Sequence, residues 1–176
     1  MNIPNQLTIL RIILIPVFIV LLMKGYPYWS AAVFIAASAT DALDGHIARK
    51  YNMVTNFGKI MDPLADKLLV TSALICFVEL GVVPGWMVIV ILAREFIITG
   101  LRAVAAGDGI IIAAGKSGKL KTVFQMVAII VLLLQDFPFT LFTTIPVGMI
   151  LLWAAVILTI YSGVEYIIQN RQVFFT

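Results

Sequence analysis

Residues 41–66 read DALDGHIARKYNMVTNFGKIMDPLAD and carry four of the nine acidic residues in the chain. Long apolar stretches precede and follow this segment, so its carboxylates lie where two hydrophobic segments meet. Carboxylates at membrane depth are energetically costly, and by default they indicate a functional site. This segment therefore suggests both a fold class and a kind of chemistry, and the rest of the sequence shows whether they fit.

The composition indicates that lipid, rather than water, surrounds the folded chain. Of 176 residues, 62% are hydrophobic and 12% are charged, and the mean hydropathy is +1.08. A soluble domain carries about twice that charged fraction, so this chain lacks the polar surface that water requires. The length allows one domain, spanning 1–176, with about half a dozen membrane crossings of ~20 residues each.

The hydropathy pattern divides the chain into six apolar segments. We place them at 7–24, 28–48, 62–82, 84–106, 122–141 and 144–168. The alternation of apolar and polar residues that a transmembrane barrel needs is missing. We therefore predict an all-α, polytopic membrane protein in which six transmembrane helices form one bundle.

The basic residues predict how this bundle is oriented. They concentrate after the second and fourth segments, at Arg49, Lys50, Lys59, Lys116, Lys119 and Lys121. The connections near 80–84 and 136–146 contain no lysine or arginine. Because cytoplasmic loops are enriched in basic residues, we expect both termini and the acidic segment to lie on the cytoplasmic side of the cell membrane.

The spacing of the four acids places them in two pairs, each on one face of a helix. Asp41 and Asp44 are three residues apart, and Asp62 and Asp66 are four residues apart. Residues at these spacings are neighbours on a helix surface, with Cβ atoms about 5–6 Å apart. A turn over 49–58 would fold the two helices antiparallel and bring the pairs together.

Four converging carboxylates repel each other unless they are protonated or neutralised. Two divalent cations supply the compensating charge, and ligation by oxygen alone suits Mg²⁺ or Mn²⁺ rather than zinc. Two metal ions can also stabilise the attacking and leaving oxygens of a displacement at phosphorus. Small residues on the same faces, Gly45, Ala48 and Gly58, would let a bulky ligand approach the backbone closely.

Three prolines are expected to shape the helices. Pro63 fits the first turn of the helix that carries the second acidic pair, where its missing N–H is tolerated. Pro16 and Pro146 are expected to mark kinks inside membrane helices.

The stretches D-A-L-D-G-H-I-A-R at 41–49 and G-K-I-M-D-P-L-A-D at 58–66 resemble the DxxDGxxAR…GxxxDxxxD signature of the CDP-alcohol phosphatidyltransferases, and every signature position matches. The resemblance implies that Asp41, Asp44 and Asp62 bind metal, with Asp66 acting as ligand, general base or both. It also implies a homodimer and a set of contacts to the CDP-lipid, made by Asn5, Gly45, Ala48, Arg49, Thr55 and Gly58. His46 occupies a variable position of the signature and is interpreted as a polar neighbour rather than a ligand.

Three further stretches resemble one branch of that family. They are NIPNQLTILR at 2–11, AREFIITGLRAVAA at 93–106 and GKLKTVFQ at 118–125. The resemblance implies transfer of the phosphatidyl group of CDP-diacylglycerol to sn-glycerol 3-phosphate, giving phosphatidylglycerophosphate and CMP, in contact with membrane lipids and without nucleic acid. Inositol phosphate or serine as acceptor, or a divalent-cation transporter in place of an enzyme, are the alternative interpretations.

The mechanism expected from these residues is a metal-assisted displacement in which a base takes the proton of the attacking hydroxyl. Asp66 is the candidate base because it lies one turn deeper than Asp62, away from the mouth where CMP departs. The phosphate of the acceptor needs cations, and the candidates are Arg94, Arg102, Lys116, Lys119 and Lys121.

The cation candidates also admit structural interpretations. Arg102 lies two turns beyond Arg94, so both can face one side of the fourth helix and bind phosphate through their guanidinium groups. The alternative for Arg94 is a structural pair with Glu95, and the lysines could instead contact anionic lipid headgroups. Asp136 and Glu165 are interpreted as charges in loops or at helix ends.

Overall fold

The computed structural model describes the backbone of residues 3–50, 56–107, 109, 110, 112 and 115–171, and the side chains at these positions other than 3, 4, 41–50, 56, 57, 59 and 60. The described residues form six α-helices and one short 3-10 helix, Phe139–Leu141, and no strand. The α-helices are α1 (Ile3–Met23), α2 (Pro27–Lys50), α3 (Asn56–Glu79), α4 (Gly85–Gly107), α5 (Lys116–Leu133) and α6 (Val147–Gln169). The all-α prediction is confirmed.

The predicted position of the fifth helix, 122–141, is wrong at both ends. Helix α5 begins at Lys116, because the basic residues at its start are good helix formers that hydropathy alone does not detect. It ends at Leu133, because Gln135 and Asp136 adopt positive φ angles of 55° and 61°, a conformation that a right-handed helix excludes. The apolar residues after this turn belong to the connection and not to the helix.

Two predictions about prolines are also wrong. Pro63 lies inside α3 and not in its first turn, because α3 begins at Asn56, within the polar stretch 49–58 for which the sequence predicts a turn. A proline inside a helix removes one intrahelical hydrogen bond. Pro146 is the N-cap residue of α6 and lies outside the helix, so it starts α6 rather than kinking it. Pro16 lies inside α1, as expected.

The described residues divide into two compact units, the first of which comprises residues 1–82 with 133–135. In this unit α1 packs against both α2 and α3, and α2 contacts α3. Phe18 and Phe34 are fully buried between α1 and α2, with ring centroids 5.7 Å apart. The first unit therefore holds both helices that carry the acidic pairs.

The second unit comprises residues 83–132 with 136–176 and contains α4, α5 and α6. Helix α4 packs against α6, and the rings of Trp86 and Trp153 join the two helices at a centroid distance of 5.2 Å. A carboxylate oxygen of Asp136 accepts a hydrogen bond of 2.5 Å from the backbone N–H of Gly148, in the first turn of α6. This bond satisfies an N–H that has no partner within the helix.

The described side chains depart from the pattern of a soluble protein in two respects. Large apolar side chains are exposed, including Phe142 at 86% and Ile89 at 68%, whereas Arg11 is fully buried and Lys121 is 2% exposed. Charged side chains in water-soluble proteins are almost never fully buried. By length and apolar composition, two helical stretches could each cross a membrane, Asn5–Met23 and Val147–Gln169. These features indicate that the chain is associated with a membrane.

Candidate active site

The acidic pair of α3 lies within the described residues. Asp62 and Asp66 are both half-buried and are separated by one helical turn, so their carboxylates lie on the same face of α3. Asp41 and Asp44 lie near the end of α2, which contacts α3, but their side chains fall outside the described residues. The structure thus brings together the helices that carry the two pairs.

The oxygen donors on α3 fit a hard divalent cation. Carboxylate oxygens are the ligands that Mg²⁺ and Mn²⁺ prefer, and Asp62 also accepts a hydrogen bond from a side chain of α1. Among the described side chains, no group of three acidic, histidine or cysteine residues is close enough to hold a metal ion. A complete ligand set would need Asp41 and Asp44 as well.

Helix α1 supplies two buried polar contacts at this site that the sequence analysis missed. The Thr8 hydroxyl donates a hydrogen bond of 2.5 Å to Oδ1 of Asp62. One turn further along α1, Nε of Arg11 donates to the backbone carbonyl of Ala37 in α2 at 3.2 Å. A charged residue inside an apolar helix is itself a functional signal, and Arg11 could have been found in this way.

The predicted contacts to the CDP-lipid fall mostly outside the described side chains. Gly45, Ala48 and Arg49 belong to the final turns of α2, whereas Thr55 lies outside the described residues altogether. Within the described part, Gly58 is buried near the start of α3, and Asn5 is half-buried in the first turns of α1.

The second unit contains a cavity of about 170 Å³ whose wall combines three cations with hydroxyl and amide groups. The cations are Arg94 and Arg102 from α4 and Lys119 from α5. The cavity therefore unites three of the five residues predicted to bind the acceptor phosphate. The other two lie elsewhere: Lys116 is exposed outside the lining, and Lys121 is buried against Glu95.

Both arginines of the cavity contact neutral groups through part of the guanidinium, and each has an Nε donor without a partner among the described residues. Nη2 of Arg94 donates to the Ser162 hydroxyl at 3.1 Å, and the guanidinium of Arg102 lies over the ring of Tyr166, 5.4 Å from its centroid. The Nε atoms of both arginines are buried and have no hydrogen-bond partner among the described residues. Buried donors without partners are costly, so these two groups are suited to an anionic ligand.

Two glycines make room for the Arg94 side chain. A Cβ atom at Gly118 would lie 3.3 Å from Nη2 of Arg94, and one at Gly163 would lie 3.2 Å from its Cγ. Both distances are tighter than ordinary carbon contacts. The small residues of α5 and α6 therefore determine where the guanidinium of α4 can be placed.

Two acidic residues complete the wall of the cavity. Glu95 accepts a hydrogen bond from Lys121 and lies 3.7 Å from Arg94. Glu165, which the sequence suggested was only a helix-end charge, accepts from the Ser117 hydroxyl, and its other oxygen lies 3.3 Å from Nε2 of Gln169. Since Lys121 neutralises Glu95, the three cations of the wall outweigh the remaining acid, and the cavity favours an anion.

Comparisons with known proteins identify the family of the chain. Residues 1–161 match the family described as CDP-alcohol phosphatidyltransferase. The chain is 46% identical to the CDP-diacylglycerol--glycerol-3-phosphate 3-phosphatidyltransferase of Bacillus subtilis, with 97% of this chain and 96% of that protein covered. Identity is 43% to the protein of the same name from Rickettsia typhi, with 94% of each chain covered, and 40% to that from Haemophilus influenzae, with 94% of this chain and 91% of the relative covered. The chain belongs to the CDP-alcohol phosphatidyltransferase family.

Proposed function

We propose that the chain transfers the phosphatidyl group of CDP-diacylglycerol to sn-glycerol 3-phosphate, releasing phosphatidylglycerophosphate and CMP. Relatives at 40–46% identity over nearly their whole length carry names that state this donor and this acceptor. The observation that carries the choice of acceptor is the cavity lined by Arg94, Arg102 and Lys119. An acceptor that brings its own phosphate needs such a group of cations, whereas serine does not; between glycerol 3-phosphate and inositol phosphate, the names of the relatives favour the former.

On the donor side, Asp41, Asp44, Asp62 and Asp66 would hold two Mg²⁺ or Mn²⁺ ions. When bound, such ions would neutralise the diphosphate charge that builds up as CMP leaves. The signature residues of α2 and its connection to α3, with Asn5 of α1, would bind and orient the cytidine diphosphate. Positioning of this kind provides much of the catalysis in displacement at phosphorus.

Asp66 is proposed as the general base. It would take the proton of the primary hydroxyl of glycerol phosphate while that oxygen forms a bond to the phosphatidyl phosphorus. The bond between this phosphorus and the oxygen of CMP breaks, and CMP departs with the electron pair. A positioned base typically contributes 10²–10⁴-fold to such a step.

On the acceptor side, Arg94 and Arg102 would bind the phosphate of glycerol 3-phosphate. The buried Nε atoms of the two arginines support this role, because a phosphate oxygen would satisfy donors that lack a partner among the described residues. Guanidinium groups also match phosphate oxygens in a two-pronged geometry that an ammonium group lacks. Lys119 would add a third positive charge to the wall.

We further propose that all six α-helices cross the cell membrane, with both termini and the chemistry on the cytoplasmic side. The helices contain between 18 and 24 residues, which matches the ~17–25 residues that a crossing requires. Exposed apolar side chains on every helix whose side chains are described support this arrangement. The family resemblance also suggests a homodimer.

The test is an acceptor panel with the purified protein in detergent. We expect CDP-diacylglycerol, Mn²⁺ and glycerol 3-phosphate to give phosphatidylglycerophosphate and stoichiometric CMP, with no product from serine and little from inositol phosphate. Chelation of the metal should stop the reaction, and added Mn²⁺ should restore it. Formation of lipid product from inositol phosphate or serine, but not from glycerol 3-phosphate, would overturn the choice of acceptor. Cation flux through liposomes without CMP release would favour a transporter.

A further inference from the structure

Helix α1 carries no acidic residue, yet it contacts both helices that carry the signature acids. Its contact with α3 includes the hydrogen bond from the Thr8 hydroxyl to Oδ1 of Asp62. We propose that Thr8 is a positioning residue that orients the Asp62 carboxylate for metal binding. The inference rests on the proposed function, because that function makes Asp62 a metal ligand.

The chemistry of the pair fixes the direction of the bond. An ionised carboxylate only accepts hydrogen bonds, so the hydroxyl of Thr8 must donate its proton to Asp62. A hydrogen bond that a hydroxyl donates to an ionised carboxylate is about twice as strong as one between neutral groups. Thr8 is fully buried, and a β-branched side chain in a helix has few rotamers. The donor is therefore fixed in place, and it restrains a carboxylate that would otherwise rotate about two bonds.

Arg11 holds the helix that presents Thr8. It is fully buried one turn along α1, and its Nε donates to the carbonyl of Ala37, four residues before Asp41 in α2. Thus α1 is attached to the backbone of one acid-bearing helix and to a carboxylate of the other. The Thr8 hydroxyl is consequently presented by a helix that is bonded to both α2 and α3.

The partner of the Thr8 hydroxyl on another helix is what points to a positioning role. Buried hydroxyls in helices usually bond to a carbonyl of the preceding turn, as Thr159 does with Ala155. The Thr8 hydroxyl donates to a side chain 54 residues away, on a helix that carries two signature acids. Partners that orient metal ligands in this way commonly change metal affinity by about 10–100-fold when they are removed.

The test measures metal binding directly, by titrating the purified protein in detergent with Mn²⁺ and following the free ion by electron paramagnetic resonance. Thr8→Val removes the hydroxyl and keeps the shape, and we expect it to raise the apparent Kd for Mn²⁺ about tenfold. Thr8→Ser restores the hydroxyl and should bind within about twofold of the unmodified protein. Thr159→Val is the matched control, since the same change at another fully buried threonine should leave the Kd unaltered.

Thermal unfolding without metal shows whether each variant is folded, and Thr8→Ala replaces Thr8→Val if the valine is not accommodated. In the Asp62→Asn background, Thr8→Val should add no further loss of Mn²⁺ affinity, because the partner it orients has been changed. An unchanged Kd for Thr8→Val, or equal weakening by Thr8→Ser, would overturn the role of the hydroxyl. If the unmodified protein bound no Mn²⁺, the proposed metal site itself would fail, and this inference with it.

Discussion

The guanidinium of Arg94 donates a hydrogen bond of 3.1 Å to the hydroxyl of Ser162, which ties α4 to α6 at the wall of the cationic cavity. Ser162 is itself buried and donates to the carbonyl of Thr159 in its own helix. The serine thus holds one nitrogen of Arg94 in place, while the buried Nε keeps its donor available. A guanidinium fixed in this way loses little conformational entropy when it binds a phosphate.

Gly163→Ala should weaken the acceptor site without unfolding the protein. The new Cβ would lie 3.2 Å from Cγ of Arg94, so the arginine must shift, and overpacking of this kind costs ~1–3 kcal/mol. We expect the KM for glycerol 3-phosphate to rise, by about tenfold if the shift of Arg94 removes ~1.4 kcal/mol of its interaction with the phosphate. Gly100→Ala in α4 is the control, because its Cβ would meet nothing within 4 Å. Equal KM values for the two variants would contradict the placement of Arg94 at the acceptor.

Arg102→Ala should raise the KM for glycerol 3-phosphate by about 10–100-fold, because a hydrogen bond to a charged group contributes ~1.5–3 kcal/mol. Arg102→Lys should recover only part of the loss, since an ammonium group cannot make the two-pronged contact with phosphate. Steady-state kinetics at saturating CDP-diacylglycerol measure both effects. Lys116→Ala, at an exposed position outside the cavity lining, serves as the comparison. If Arg102→Ala left the KM unchanged, its assignment to the acceptor would be wrong.

Lys121 is expected to matter for stability more than for phosphate binding. Its ammonium group is buried and pairs with Glu95, and Lys121→Met would leave that carboxylate without its lysine partner. Because Glu95 remains partly exposed, we expect a loss of ~1–3 kcal/mol, less than for a fully buried pair. Thermal unfolding in detergent measures this loss. The double variant Lys121→Met with Glu95→Gln should recover much of it, and a fall in phosphate affinity without a change in stability would contradict the structural role.

Asp66→Asn should abolish turnover and leave binding of the CDP-lipid largely intact. The amide keeps the size of the carboxylate but cannot accept the hydroxyl proton, so the rate should fall at least about a hundredfold. Single-turnover assays of CMP release, alongside measured binding of CDP-diacylglycerol, separate the two effects. Near-normal turnover would remove Asp66 from the role of base.

The parts of the fold that follow from local spacing could be predicted from the sequence. The all-α class and the shared face of Asp62 and Asp66 depend on composition and helical periodicity alone. The same periodicity placed Arg94 and Arg102 on one side of α4, where both line the cavity.

The parts that depend on contacts between helices, or on unusual backbone angles, could not be predicted in this way. The hydropathy pattern extended the predicted fifth helix past Gln135 and Asp136. An average over apolar residues does not detect the positive φ angles of these two residues. The bond from Thr8 to Asp62 joins residues 54 positions apart, and no local pattern relates them. Glu165 looked like a helix-end charge until the structure placed Ser117 beside it.

The attachment of α1 to its neighbours has a consequence for protein engineering. A generic hydrophobic anchor could replace the apolar length of this helix and still insert into a bilayer. Such a chimera would lack the hydroxyl that reaches Asp62 and the guanidinium that grips Ala37. An exchange of the first helix between relatives should therefore preserve the site only when the incoming helix has both the hydroxyl and the guanidinium. This holds although every acid of the signature lies further along the chain.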